Sequence, residues 1–155
     1  MERSLGAYLI STDPERLDLD AIFAYLSGES YWARGRPREQ VVAGVENSIP
    51  FGVYRDGEQV GFARIVTDYA TFAWLADVYV LAAHRGQGLG KALVEAVIEH
   101  PAVAGLPRVV LATADAHGLY ERYGFQSLEG DTRFMAIEVA ASADGSGGYV
   151  PGHES

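Results

Sequence analysis

Residues 84–92 read HRGQGLGKA, with glycines at Gly86, Gly88 and Gly90 and basic residues on both sides. The run before them, TFAWLADVYVLA at residues 71–82, is strongly β-prone. After them Leu89, Ala92, Leu93, Ala96 and Val97 recur at helical spacing as far as Pro101. The stretch is therefore a strand, a glycine loop and an amphipathic helix. A helix start offers unpaired N–H groups and the positive end of a dipole, which together hold anions. Glycines let a phosphate approach the backbone and permit positive φ.

Two well-known phosphate loops do not fit. A dinucleotide fingerprint GxGxxG beginning at Gly86 needs glycine where Lys91 stands; beginning at Gly88 it needs one where Leu93 stands. A P-loop ending at Gly90-Lys91 needs glycine in place of Arg85 and Ser or Thr in place of Ala92.

Working outward, Leu5–Ser11 reads as a first strand. Asp18 caps a helix through LDAIFAYL, and Pro37 sits in the first turn of a second, REQVVAGVEN. The loop between them, SYWARGRP, carries Tyr31, Trp32, Arg34 and Arg36, and Arg38 follows. FGVYRDGEQVGFARIVTD is a hairpin turning at Asp56-Gly57. Beyond the glycine helix come a short apolar strand, RVVLAT, a short helix with Asp115 as cap and Gly124 as stop, and a last strand, TRFMAIEV. The order predicts an α+β fold around one mixed, largely antiparallel sheet flanked by helices. Residues 1–140 are expected to form one domain, and residues 141–155, rich in Gly, Ser and Ala, a flexible tail.

The bulk numbers narrow the function. The chain has 155 residues, 48% of them apolar, and a net charge of −9 from 21 acidic and 12 basic residues. That field repels polyanions and argues against nucleic-acid binding. The absence of cysteine excludes thiol nucleophiles and cysteine-ligated metals, and no His/Asp/Glu cluster has metal-ligand spacing, so no metal is expected. No run is long enough to span a membrane and the first residues lack a secretory pattern, so a cytoplasmic protein without membrane association is the expectation.

What remains of the loop is RxxGxG, at Arg85, Gly88 and Gly90, after a strand ending DVYV. About thirty residues on, ATADAHGLYERYGF joins a strand end to a short helix carrying Leu-Tyr and then Gly-Phe. With these two segments and the element order over about residues 5–139, the chain resembles the Gcn5-related N-acetyltransferase family. The resemblance implies acetyl-CoA as acetyl donor, an amine acceptor (small molecule or peptide), and fourth and fifth strands that splay to admit the pantetheine arm. It places backbone groups of Val78 and Val80 against that arm. The pyrophosphate falls to the amides of Arg85, Gly86, Gln87, Gly88, Leu89, Gly90 and Lys91, with Lys91 either a ligand or a solvated helix residue. Thr113 stands where many members have an asparagine that contacts the arm. Tyr120 aligns with the tyrosine that many members use as general acid for the departing thiolate, or else is a core aromatic with a satisfied hydroxyl. Asp77 is the candidate base, or else a structural acceptor bonded to backbone or Arg64. His117, one helical turn before Tyr120, is a second-rank candidate for proton relay.

Tyr31 and Trp32 are candidates for the acceptor wall, or else pack their loop onto the core. Arg34, Arg36 and Arg38 suit an acceptor carboxylate, or are surface charge. The alternative to an enzyme is a non-catalytic acyl-CoA-binding or sensing module on the same fold. Dimers are frequent among similar proteins, so a homodimer is a further expectation.

Overall fold

The structure, a computed structural model, describes residues 1–128, 130, 134–137, 139–140 and 148–149. It divides into a unit of residues 1–125 and a second of residues 126–155, which are described separately. In the first unit six strands form one sheet in sequence order: β1 (Glu2–Leu5), β2 (Tyr8–Ser11), β3 (Ile49–Arg55), β4 (Glu58–Thr67), β5 (Ala73–Val80) and β6 (Val109–Leu111). The first five pair antiparallel and β6 runs parallel to β5. Four helices accompany them: α1 (Leu19–Gly28), α2 (Arg38–Glu46), α3 (Leu89–Glu99) and α4 (His117–Glu121).

The expected first strand, Leu5–Ser11, is in fact the turn and second arm of a hairpin. Gly6 takes φ 56°, which ends β1 and starts β2. The extra strand shifts the count, so the pair expected to splay as fourth and fifth is β5 and β6. Other local signals act as read. Asp18 accepts the N–H of Ala21 at 3.0 Å as the α1 cap, and Asp56 and Gly57 turn the β3–β4 hairpin with φ 51° and 82°. Asp115 does not cap α4. The Thr113 hydroxyl accepts the Ala116 N–H at 3.0 Å instead, and Ala116 is the residue before the helix.

Two apolar layers sandwich the sheet. On one face Ile10, Phe51, Val53, Ile65 and Leu75 pack against Leu89, Leu93 and Val97 of α3. On the other Phe62 and Tyr79 meet Ile22, Tyr25 and Leu26 of α1 and Val41 and Val45 of α2. Each fully buried large side chain contributes about 1.5–3 kcal/mol, so both helical layers are firmly held to the strands they position.

In the second unit Val139–Ala140 pairs antiparallel with Gly148–Tyr149. Of the expected last strand, residues 132, 133 and 138 lie outside the described residues, and 134–137 carry no strand. Residues 141–147 and 150–155 of the expected tail also lie outside them.

Candidate active site

The site begins with a break in strand pairing. β5 pairs with β6 only through Ala73–Leu75 and Val109–Leu111, yet β5 continues to Val80. From Ala76 to Val80 its outer edge has no strand partner among the described residues. The break coincides with a bulge. Arg64 pairs with Ala76 and Phe62 with Tyr79, so Asp77 and Val78 together face one residue, Ala63. Asp77 takes φ 54°, in the left-handed region that Asp and Asn tolerate better than most residues. The bulge changes the strand's phase: Leu75 belongs to the α3 layer, and beyond it Val78 and Val80 pack there as well.

Asp77 points the opposite way and is buried. It accepts from Arg64 Nε at 2.6 Å, from Arg36 at 3.0 and 3.2 Å, and from Trp32 Nε1 at 3.0 Å. Burial alone would raise its pKa. The hydrogen bond and charge of Arg64, the charge of Arg36 and the Trp32 N–H outweigh that and hold it below the usual carboxylate value. The three donors come from the α1–α2 loop and from β4, so one carboxylate ties the loop to the sheet.

Above it the aromatic rings form a connected series. Tyr25 stacks on Tyr79 with centroids 3.9 Å apart, Trp32 tilts against Tyr25 at 6.5 Å, and Tyr31 meets Trp32 edge-on at 5.0 Å. The Tyr31 hydroxyl then accepts the N–H of Ala114, in the segment after β6. The α1–α2 loop thus bridges the strand β5 and the segment leaving β6, across the place where the two part.

The glycine loop follows β5. A single 3-10 turn, Ala82–His84, leads to Gly86 at φ 77° and Gly88 at φ 78°, ψ 10°, the latter being the N-cap of α3. A side chain at either glycine would meet nothing within 4 Å. The positive φ and the open space are what the sequence demands there. The first helical bond is Ala92 N–H to Gly88 C=O at 3.0 Å. The N–H groups of Gly88, Leu89, Gly90 and Lys91 therefore have no backbone acceptor among the described residues. Lys91 is exposed beside them. Arg85 is directed elsewhere: its N–H reaches Ala82 C=O at 3.3 Å, and its guanidinium donates to Val80 C=O at 2.9 Å and the Tyr25 hydroxyl at 3.1 Å. It braces the loop against β5 and α1. Gln87 is exposed in the same turn.

Tyr120 on α4 is buried, its ring edge-on to Phe125 at 5.8 Å, and no described residue hydrogen-bonds its hydroxyl. Burial, with smaller effects from Asp115 and Tyr31, pushes its pKa up to about 12. Tyr123 differs: its hydroxyl donates to Glu95 at 2.8 Å. His117 is exposed. His84 bonds the Tyr8 hydroxyl through Nδ1 at 3.0 Å. Asp77 and Trp32 are hydrogen-bonded, Tyr31 lies against Trp32 and close enough to Tyr120 to act on it, and the unpaired amides follow the end of the same strand. Sequence reading did not single out Tyr25, whose place in the apolar pattern of α1 concealed its hydrogen bond to Arg85.

Comparison with known proteins gives this arrangement its class. The chain matches the acetyltransferase (GNAT) family over residues 19–125. It is 37% identical over 137 residues to a candidate acetyltransferase of Gibberella zeae, covering 74% of this chain and 76% of that one. The crystal structure of a candidate GNAT acetyltransferase from Xanthomonas campestris pv. campestris superposes with a TM-score of 0.83 at 46% identity, covering 88% of this chain and 96% of that one. The spermine/spermidine N(1)-acetyltransferase of Bacillus subtilis is 32% identical over 106 residues, 58% of this chain and 66% of that one. Fold and matches together define an acetyltransferase. The chain belongs to the GNAT family.

Proposed function

We propose that this protein transfers the acetyl group of acetyl-CoA to a primary amine by direct attack. The observation that carries the proposal is the run of free amides from Gly88 to Lys91 at the end of a strand whose edge is open. Four N–H groups at a helix start suit a pyrophosphate, and the space beside Gly86 and Gly88 lets one approach. Arg85 shapes this loop through its bonds to Val80 and Tyr25, and Lys91 adds charge at the mouth. Val78 and Val80 offer the strand edge along which the pantetheine arm lies, with Thr113 on the other side of the splay.

In the reaction the neutral amine adds to the thioester carbonyl, the C–N bond forms, and the C–S bond breaks as the tetrahedral centre collapses. Tyr120 gives its proton to the leaving thiolate and is reprotonated from solvent. A phenol with pKa about 12 stays protonated at neutral pH and so remains available as a donor. The amine's own proton goes to water. Asp77 is a poor acceptor for it, because both its oxygens are occupied by arginines and its pKa is lowered. We assign Asp77 a positioning role: it fixes Arg36, Trp32 and the α1–α2 loop over the reacting end of the donor. No metal takes part in this scheme, and we place the reaction in the cytoplasm.

Thiol release with and without amine tests the proposal directly, since the protein has no cysteine to give background. Tyr120→Phe should lower kcat by about 10²- to 10⁴-fold, as loss of a general acid does, while acetyl-CoA still stabilises the variant against heat. Full turnover in the variant contradicts the assignment. Binding of acetyl-CoA without thiol release to any amine would leave a sensing module in place of an enzyme.

A further inference from the structure

We propose that the acceptor amine also carries a carboxylate, and that Arg36 binds it. The inference rests on the acetyltransferase reading and goes beyond it to the substrate class.

The three arginines near the α1–α2 loop have different fates. Arg38 pairs with Asp20 at 2.7 Å and lies over the Phe23 ring at 5.7 Å, so its charge is spent on α1. Arg34 is exposed and makes no ion pair among the described residues. Arg36 alone turns inward to the site, to Asp77 and beside Trp32. There one carboxylate faces two guanidiniums. Arg64 is committed, with Nε on Asp77 and a terminal nitrogen on the Ser48 hydroxyl at 3.0 Å. Arg36 uses one terminal nitrogen for both Asp77 oxygens. Its Nε and other terminal nitrogen have no acceptor among the described residues, and its side chain keeps 25% of its surface exposed.

The cluster therefore has an excess positive charge, with an open guanidinium edge, in a protein whose net charge is −9. Two parallel N–H donors suit a carboxylate. A polyamine would bring further ammonium groups against two arginines, and like charges at a binding surface repel. Asp115, exposed and close enough to Tyr120 to raise its pKa, supplies negative charge beside α4. A small zwitterionic amine, an amino acid in the broad sense, presents the carboxylate that this open edge suits. The resemblance to a polyamine acetyltransferase over 58% of the chain points the other way, which gives the test its second arm.

The experiment compares acceptors in matched pairs: free α- and ω-amino acids against their carboxamides, with spermidine alongside, each with acetyl-CoA and the whole chain. The expected result is kcat/KM at least about tenfold higher for the acids than for the carboxamides, as a charged hydrogen-bonded contact implies. In Arg36→Gln that ratio should collapse towards 1, through KM for the acids. Asp77 keeps Arg64 and Trp32 in this variant, and Arg36→Lys, which keeps charge but loses the paired donors, should fall between. A merely structural role for Arg36 would lower acids and carboxamides together and leave the ratio unchanged, which overturns the proposal. So does a preference for spermidine or the carboxamides, or turnover of those amines with none of any acid while acetyl-CoA still stabilises the protein. In those cases the acetyltransferase reading stands. Failure of acetyl-CoA to stabilise the protein at all sinks both.

Discussion

Replacing Asp77 by asparagine removes one charge and leaves two guanidiniums facing each other. Arg64 and Arg36 donate to that carboxylate from 2.6 and 3.0 Å, and their side chains are 16% and 25% exposed. Breaking a buried ion pair by removing one partner costs about 3–5 kcal/mol. Partial exposure lets the arginines recover some hydration, so the low end, about 3 kcal/mol, is the expected loss. For a chain of this size that is a fall in Tm of roughly 6–12 °C. The backbone separates charge from conformation. Asparagine tolerates the φ of 54°, whereas alanine should lose about 1–2 kcal/mol more there. Asp77→Ala should therefore be the least stable, and Asp77→Gly, which accepts the φ but also loses the acceptor for Arg64, Arg36 and Trp32, should fall between it and Asp77→Asn. Urea denaturation at several pH values is the assay. A carboxylate whose folded pKa is depressed adds stability above its unfolded pKa of about 3.9 and loses it as pH falls through the folded value. The gap between wild type and Asp77→Asn should thus be full at neutral pH and close in acid. A variant within about 1 kcal/mol of wild type at pH 7, or a gap that widens in acid, would refute this reasoning.

Three other outcomes follow from the same geometry. Gly88→Ala places a Cβ at φ 78° with nothing within 4 Å, so the cost is in the backbone, about 1–2 kcal/mol, and urea melts should show it along with weaker acetyl-CoA binding by calorimetry. Tyr54→Phe should raise Tm by about 2–4 °C, or roughly 1 kcal/mol, because the Tyr54 hydroxyl is buried against Gly52 with no partner among the described residues; a lower Tm would mean that this hydroxyl is satisfied in solution. With Tyr120 pushed up to about 12, kcat should show no falling limb from this residue up to about pH 10.5; a limb with a midpoint near 9 that vanishes in Tyr120→Phe contradicts its protonated role.

The parts legible in the sequence were those fixed by neighbours along the chain. The strand, glycine loop and helix over residues 71–99, the Asp56-Gly57 turn and the Asp18 cap each depend on a few adjacent residues. Errors arose where a local pattern had two solutions. The run LGAYLIS alternates like one strand, and only the positive φ of Gly6 shows the turn inside it. Asp115 has the side chain of a helix cap, but the helix begins after Ala116 and Thr113 instead takes the Ala116 N–H, which only the placed backbone shows.

The site was harder because its contacts are distant in sequence. Asp77 stood out as an acid in an apolar run that needed a partner, and Arg64 was a candidate. Trp32 and Arg36 bind it from 45 and 41 residues away, where no periodicity links them. Nor does sequence separate Arg34, Arg36 and Arg38, which differ only in where the loop and α2 direct them. The bulge that turns Asp77 towards them is a property of the β4–β5 register.

The central claim is that the free amides from Gly88 to Lys91 hold the diphosphate of acetyl-CoA. The measurement closest to it is the Tm of wild type and Gly88→Ala with increasing acetyl-CoA, against NAD and ATP. Ligand at about a hundred times its dissociation constant stabilises a one-site protein by roughly 2.7 kcal/mol, or about 5–10 °C here. The account predicts that shift for acetyl-CoA with wild type, a smaller one at the same concentrations with Gly88→Ala, and little with NAD or ATP. No shift with acetyl-CoA at millimolar concentration, or an equal one in both proteins, would contradict it.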